Sequence, residues 1–268
     1  MTGLGRILFA IGFAALGAFT IGWHGFAAEW LSLPKGGAWH DVPATLSGAI
    51  LVAGGVALLV PRTARLSSLV LAGFLLVPLL LRIPYLAAHP LVEVLWEEIS
   101  QNLIYVAGAW TIFSVLPHDS GALAGLGNVR AGQILFALAL PAIGLSHMFY
   151  LNLTAPLIPA WLPFHVPLAY ITGAAHMAAS AGILFGVLPR LAATLEAVMV
   201  SLFTLLVWVP VVITTPASRF HWSEICASTV IGGAAWAVAG SFHGRPWGVG
   251  AKFATGARSK PVKPELEA

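Results

Sequence analysis

Trp96-Glu97-Glu98-Ile99 returns as Trp222-Ser223-Glu224-Ile225, 126 residues further along the chain. The same offset carries Ala109-Trp110 to Ala235-Trp236, Pro84 to Pro210 and Pro90 to Pro216. Near the start, Gly5, Ile7-Leu8-Phe9-Ala10 and Gly17 return as Gly132, Ile134-Leu135-Phe136-Ala137 and Gly144, at an offset of 127. A near-constant offset marks an internal duplication. It limits the fold to two similar units packed together, 1–120 and 121–243. A polar tail containing Gly, Pro and Lys follows, 244–268, expected to be disordered and cytoplasmic.

What each unit folds into follows from its charge distribution. From Ala131 to Pro189 there is no Asp, Glu, Lys or Arg. That stretch is too long for one bilayer span of about 20 residues. Pro156, Pro159, Pro163 and Pro167 divide it in two. The other charge-poor stretches are Ile7–Ala28, Val42–Pro61, Leu66–Leu81, Ile99–Pro117, Ala197–Ser218 and Ile225–Gly244. Only 9% of residues are charged, 59% are hydrophobic and the mean hydropathy is +0.90. A water-soluble domain carries about 25% charged residues. The expected fold is all-α: a polytopic membrane protein with eight transmembrane helices, arranged as two tandem parallel four-helix repeats. The spans are placed at 5–28, 43–60, 63–83, 92–116, 130–152, 167–188, 190–213 and 219–242. Continuous apolar runs argue against barrel strands, which alternate apolar and polar residues. Arg6 ahead of an apolar run has the look of a signal peptide, but the counterpart of that run is an internal span, so it is expected to be retained. A single cysteine, Cys226, excludes an intramolecular disulfide.

With eight spans both termini lie on one side. Arg6, Arg62, Arg65, Arg130, Arg190, Arg245, Lys252, Arg258, Lys260 and Lys263 share that side, against Lys35, Arg82 and Arg219 on the other. The positive-inside rule then makes both termini cytoplasmic, in the inner membrane of a bacterium. These cations are dispersed over short loops, which argues against a nucleic-acid partner. Trp23, Trp30, Trp39, Trp96, Trp161 and Trp222 gather toward the outer face, as an aromatic belt does.

The second helix of each unit is rich in small residues: Gly48-Ala-Ile-Leu51-Val-Ala-Gly54-Gly55 and Gly173-Ala-Ala-His176-Met-Ala-Ala179-Ser180. Small residues let membrane helices approach closely, so Gly48, Gly54, Gly55 and Gly173 are read as packing positions. The pattern resembles the Gly-x-x-Glu-x-x-Gly-Gly helix of the DoxX-like family of small four-helix membrane proteins. The resemblance runs over residues 5–116 and 130–241. The family's acidic residue is replaced by Leu51 in one unit and His176 in the other, and Trp23-His24 stands near its helix-1 lysine. The resemblance implies a membrane subunit or accessory protein of a respiratory, quinone- or thiol-linked redox system, with a redox enzyme as partner. It implies no catalytic centre of the chain's own.

Ionisable residues inside a membrane are functional candidates by default. Counting 1.5 Å per residue, Arg82 and Glu98 fall at the outer interface and are expected to pair. In the second unit Trp208 takes the Arg82 position, and Arg219 or His221 is expected beside Glu224. His147 and His176 are the deepest titratable residues, on neighbouring helices at similar depth. Two such histidines suit a quinone carbonyl or a bis-histidine haem; otherwise each imidazole is satisfied by a backbone carbonyl or by Ser146, Ser180 or Thr172. Thr20 and Leu51 stand at the matching positions of the first unit. Glu196 is placed at the inner interface. His24, His40, His89, His165 and His221 gather outside without the spacing of a metal site. No phosphate loop, nucleophile elbow or His-Glu-x-x-His helix occurs. The expected activity is that of a non-catalytic redox-associated membrane subunit in contact with the bilayer. The alternatives are a small-molecule transporter or permease, and a haem or quinone carrier.

Overall fold

The computed structural model describes residues 2–26, 38–117 and 126–248. Trp30, Lys35, Lys252, Arg258, Lys260, Lys263, most of the 244–268 tail and the side chains of Trp39 and His40 lie outside the described residues. Eight long helices are present among the described residues: α1 Thr2–Gly22, α2 Ala38–Leu59, α3 Ala64–Ala88, α4 Glu93–Val115, α5 Val129–Phe149, α6 His165–Phe185, α7 Pro189–Thr214 and α8 Arg219–Ser241. A short helical turn, Leu151–Thr154, leads through Ala155–Leu157 from α5 toward α6. No strand occurs among the described residues.

Six helices, α1, α2, α3, α5, α6 and α7, are long and apolar enough to cross a bilayer. Their outward faces carry large apolar side chains: Leu66, Val70, Leu80 and Leu81 on α3 and Leu195, Leu205 and Ile213 on α7 are exposed. That is the consistent signature of a helical membrane protein. Eight spans were expected, and α4 and α8 fall short of the apolarity of the others. Their N-terminal ends carry Glu93, Glu97, Glu98 and Asn102, and Arg219, His221, Ser223 and Glu224. Both helices are enclosed by protein, with Ile104, Tyr105, Ala107 and Ala109 of α4 and Ala234, Ala235, Ala237 and Ala239 of α8 fully buried. A helix shielded by other helices has no need of an apolar exterior.

α1 packs between α2 and α8, and α5 packs between α4 and α6. α4 and α8 touch each other; α3 lies against α2 and α4, and α7 against α6 and α8. Glycine sets the closest approaches. A Cβ on Gly17 would stand 2.5 Å from the Gly48 carbonyl oxygen, and one on Gly48 would stand 2.8 Å from that of Gly17. A Cβ on Gly144 would lie 2.5 Å from the Gly173 carbonyl oxygen, and one on Gly173 would lie 2.6 Å from that of Gly144. Gly54 faces the Leu71 side chain, and a Cβ on Gly55 would stand 2.6 Å from the Ala10 carbonyl oxygen. The Gly17–Gly48, Gly144–Gly173 and Gly55–Ala10 approaches are contacts of backbone on backbone, the means by which helices associate where no hydrophobic force acts between them.

Two departures from the expected helices have clear physical causes. α3 runs through Pro78 and Pro84 to Ala88, five residues past its expected end. A proline removes one N–H donor, and here the His89 N–H closes the last turn on the Tyr85 and Leu86 carbonyls. α7 widens into a π turn over Thr204–Trp208. Pro210 offers no N–H to the Leu206 carbonyl, and Thr204 ties the turn to α8 through a 2.6 Å contact with the Ser228 hydroxyl.

Candidate functional site

The Gly144–Gly173 contact draws α5 and α6 together. His147 and His176 each follow one of these glycines by three residues, so both imidazoles emerge one turn from the same crossing. Their ring centroids lie 5.2 Å apart with the planes tilted by 52°. Phe203 of α7 closes over both rings, 6.0 Å from His147 and 6.2 Å from His176.

Each imidazole is held at Nδ1. His147 Nδ1 lies 2.8 Å from the Ile143 carbonyl oxygen one turn back on α5. His176 Nδ1 lies 2.8 Å from Glu196 Oε1 of α7. Glu196, placed by depth at the inner interface, is instead buried, with 2% of its surface exposed, as is His176. Its position around the α7 axis, which depth along the helix leaves out, turns the carboxylate inward. The hydroxyls expected to satisfy the imidazoles are engaged elsewhere: Ser146 donates to Ile143 O, Ser180 to Ala137 O and Thr172 to Ala169 O. His176 Nε2 and Glu196 Oε2 are buried with no hydrogen-bond partner among the described residues. Unpartnered buried polar atoms are uncommon in native proteins, and each calls for an explanation.

His176 Nε2 belongs to a residue that lines a cavity of about 430 Å³ between α4, α5, α6, α7 and α8. His147, Phe203 and Ile231 line it together with Glu97, Gln101, Trp208 and Glu224. Leu157, Ile158, Pro159 and Leu162 of the α5–α6 connection form another wall. Its size suits a small ligand with an apolar body, for which pockets of about 300–1,000 Å³ are typical. The residues fit a quinone-type ring better than a haem. Axial imidazoles flank a macrocycle from opposite faces, whereas these two rings are in contact with each other. A quinone would bring an apolar ring and two polar oxygens to a cavity with mostly apolar walls and a few polar side chains.

The other sequence candidates lie outside this cluster, with one exception. Arg82 Nε donates to Glu98 Oε2 at 3.1 Å, joining α3 to α4, with 10% and 34% of the side-chain surfaces exposed. Arg219 turns toward Trp23, its Nη1 3.4 Å from the Trp23 carbonyl oxygen and its guanidinium 5.8 Å from the ring. His221 contacts Thr215. Glu224 is the exception, since it lines the cavity. Gly48, Gly54 and Gly55 belong to contacts of α2 with α1 and α3, remote from the histidines, while Gly173 lies directly beneath them. Sequence reasoning missed Glu196 and Phe203 as members of the site. The available signal was that Glu196 is the lone acid of a long apolar helix, and such a residue is a functional candidate by default.

Compared with protein-family models, curated proteins and solved structures, the chain matches none. The resemblance to DoxX-like proteins therefore rests on the helix-2 small residues alone.

Proposed function

We propose that this chain is an eight-span protein of the bacterial inner membrane, with both termini in the cytoplasm, that holds a quinone-type ligand between its C-terminal helices. It serves a redox system as a membrane subunit or accessory protein. The observation that carries this reading is the cavity walled by His147 and His176, with a buried nitrogen free to meet a ligand oxygen. The link to a redox partner comes from the resemblance at Gly48, Gly54, Gly55 and Gly173. The repeat supports two units of like orientation, related by an axis along the membrane normal. The pairings agree with it: α1 meets α8 as α5 meets α4, and Gly17–Gly48 matches Gly144–Gly173. The distribution of basic residues supports the orientation.

The test is organic extraction of the purified full-length chain, with detection of quinone by its ultraviolet spectrum. The expected result is co-extracted quinone in the wild type and its loss in His147→Ala and His176→Ala. A chain that yields no quinone and takes up none when it is added would overturn the reading.

A further inference from the structure

The hydrogen-bond partners of the two histidines fix what the cavity offers. A backbone carbonyl can only accept, so the Ile143 oxygen requires a proton on His147 Nδ1. An ionised carboxylate can only accept, so Glu196 Oε1 at 2.8 Å accepts the hydrogen bond of the His176 Nδ1–H. A neutral imidazole protonated at Nδ1 presents Nε2 as an acceptor. Both rings therefore present bare Nε2 atoms, and that of His176 is buried and unpartnered.

The rest of the lining points the same way. The hydroxyls of Ser146, Thr154 and Thr172 are each donated to a backbone carbonyl of their own helix. Glu97 and Glu224 add carboxylates, and no Lys or Arg lines the cavity. Around the imidazoles the wall is rich in lone pairs, and the N–H donors of the lining belong to Gln101 and Trp208. A ring carrying two carbonyls has only lone pairs to set against it. A ring carrying two hydroxyls has O–H donors to set against the imidazole nitrogens and the carboxylates.

Resting on the reading of the cavity as a quinone-type site, we infer that it selects the reduced, diphenol form of its ligand over the oxidised dicarbonyl. His176 Nε2 accepts a hydrogen bond from one hydroxyl of that ligand, beside the His147 ring. Glu196 is a positioning residue, setting the His176 tautomer from behind. The titratable groups around the two imidazoles are Glu196 on α7, which holds His176, and Glu97 on α4 and Glu224 on α8, which share the cavity lining.

The experiment is equilibrium dialysis under argon of the full chain in detergent against a short-chain prenylated benzoquinone, and against the same compound reduced to its hydroquinone. A buried acceptor left unmatched weakens binding about tenfold, so the hydroquinone is expected to bind about tenfold more tightly. Glu196→Gln presents an amide N–H to Nδ1, moves the imidazole proton to Nε2 and brings the ratio to near unity or below. Glu196→Asp keeps a carboxylate and restores the preference. Equal affinities, or tighter binding of the quinone by the wild type, overturn this inference and leave the quinone site standing. Failure of both forms to bind overturns the site itself. The wild-type ratio alone decides should Glu196→Gln not fold, and an unchanged ratio in a folded Glu196→Gln removes Glu196 from its positioning role.

Discussion

At the His176–Glu196 contact two ionisable groups lie where water reaches neither. Removing one partner of such a pair leaves the other buried and unmatched, which destabilises by about 3 kcal/mol or more. Replacing both by apolar groups removes the mismatch. The chain carries an apolar version of this arrangement: Leu51 and Leu71 precede His176 and Glu196 by 125 residues, as Gly48 precedes Gly173, and both leucines are fully buried. We therefore expect Glu196→Leu alone to lower the unfolding midpoint in detergent sharply, and His176→Leu with Glu196→Leu to recover most of the loss. A double variant no more stable than the worse single variant would show that the two residues do not act together. At Arg82–Glu98, where the carboxylate is one-third exposed, the pair contributes no more than about 1 kcal/mol. Arg82→Glu with Glu98→Arg should be better folded than either single change in a thermal melt, by a small margin. Depth along a helix can be counted from sequence, and that brought His147 and His176 into view. Direction around the helix cannot be counted when apolar residues lie on every side, and so the burial of Glu196 was not legible.

Among the helices, α5 and α6 meet at Gly144 and Gly173 with backbone against backbone, and the histidines stand on either side of that crossing. Gly144→Val forces the two apart, and overpacking of this kind costs about 1–3 kcal/mol. It also spreads the imidazoles, so ligand binding should fall further than stability does. Gly73 has open space where a Cβ would go; Gly73→Ala should be neutral or slightly stabilising, because alanine is the better helix former. Thermal melts paired with ligand titrations separate the two effects. The positions of the long helices were legible because lipid demands an unbroken apolar run. Where they stop was less so. Pro84 reads as a breaker, yet the helix absorbs it, whereas Pro210 accompanies a π turn that no local sequence rule announces. A wide turn frees a backbone carbonyl, and such turns recur at functional sites; this one presents Leu206, Val207 and Trp208 to the cavity.

Across the whole molecule the eight-span reading makes a direct topological prediction. In a Cys226→Ser background, a cysteine at Ala217, between α7 and α8, should react in intact cells with a reagent that cannot cross the membrane. A cysteine at Gly127, ahead of α5, should react only after the membrane is opened. Labelling of Gly127→Cys from outside would invert or break the arrangement. The expected orientation rests on charge asymmetry, which acts through counts over loops rather than through contacts.

The seam between α1 and α8 bears on how the protein is made. Gly5 and Gly12 of α1 stand against Gly233, Ala237 and Val230 of α8 so closely that no side chain fits at either glycine. α1 leaves the ribosome well before α8. At about 5–20 residues per second, the nearly 200 residues between Gly22 and Arg219 separate them by about 10–40 s. Throughout that interval the small-residue face of α1 has only lipid or the insertion machinery against it. A ribosome that stalls before α8 therefore leaves the small-residue face of α1 unmatched.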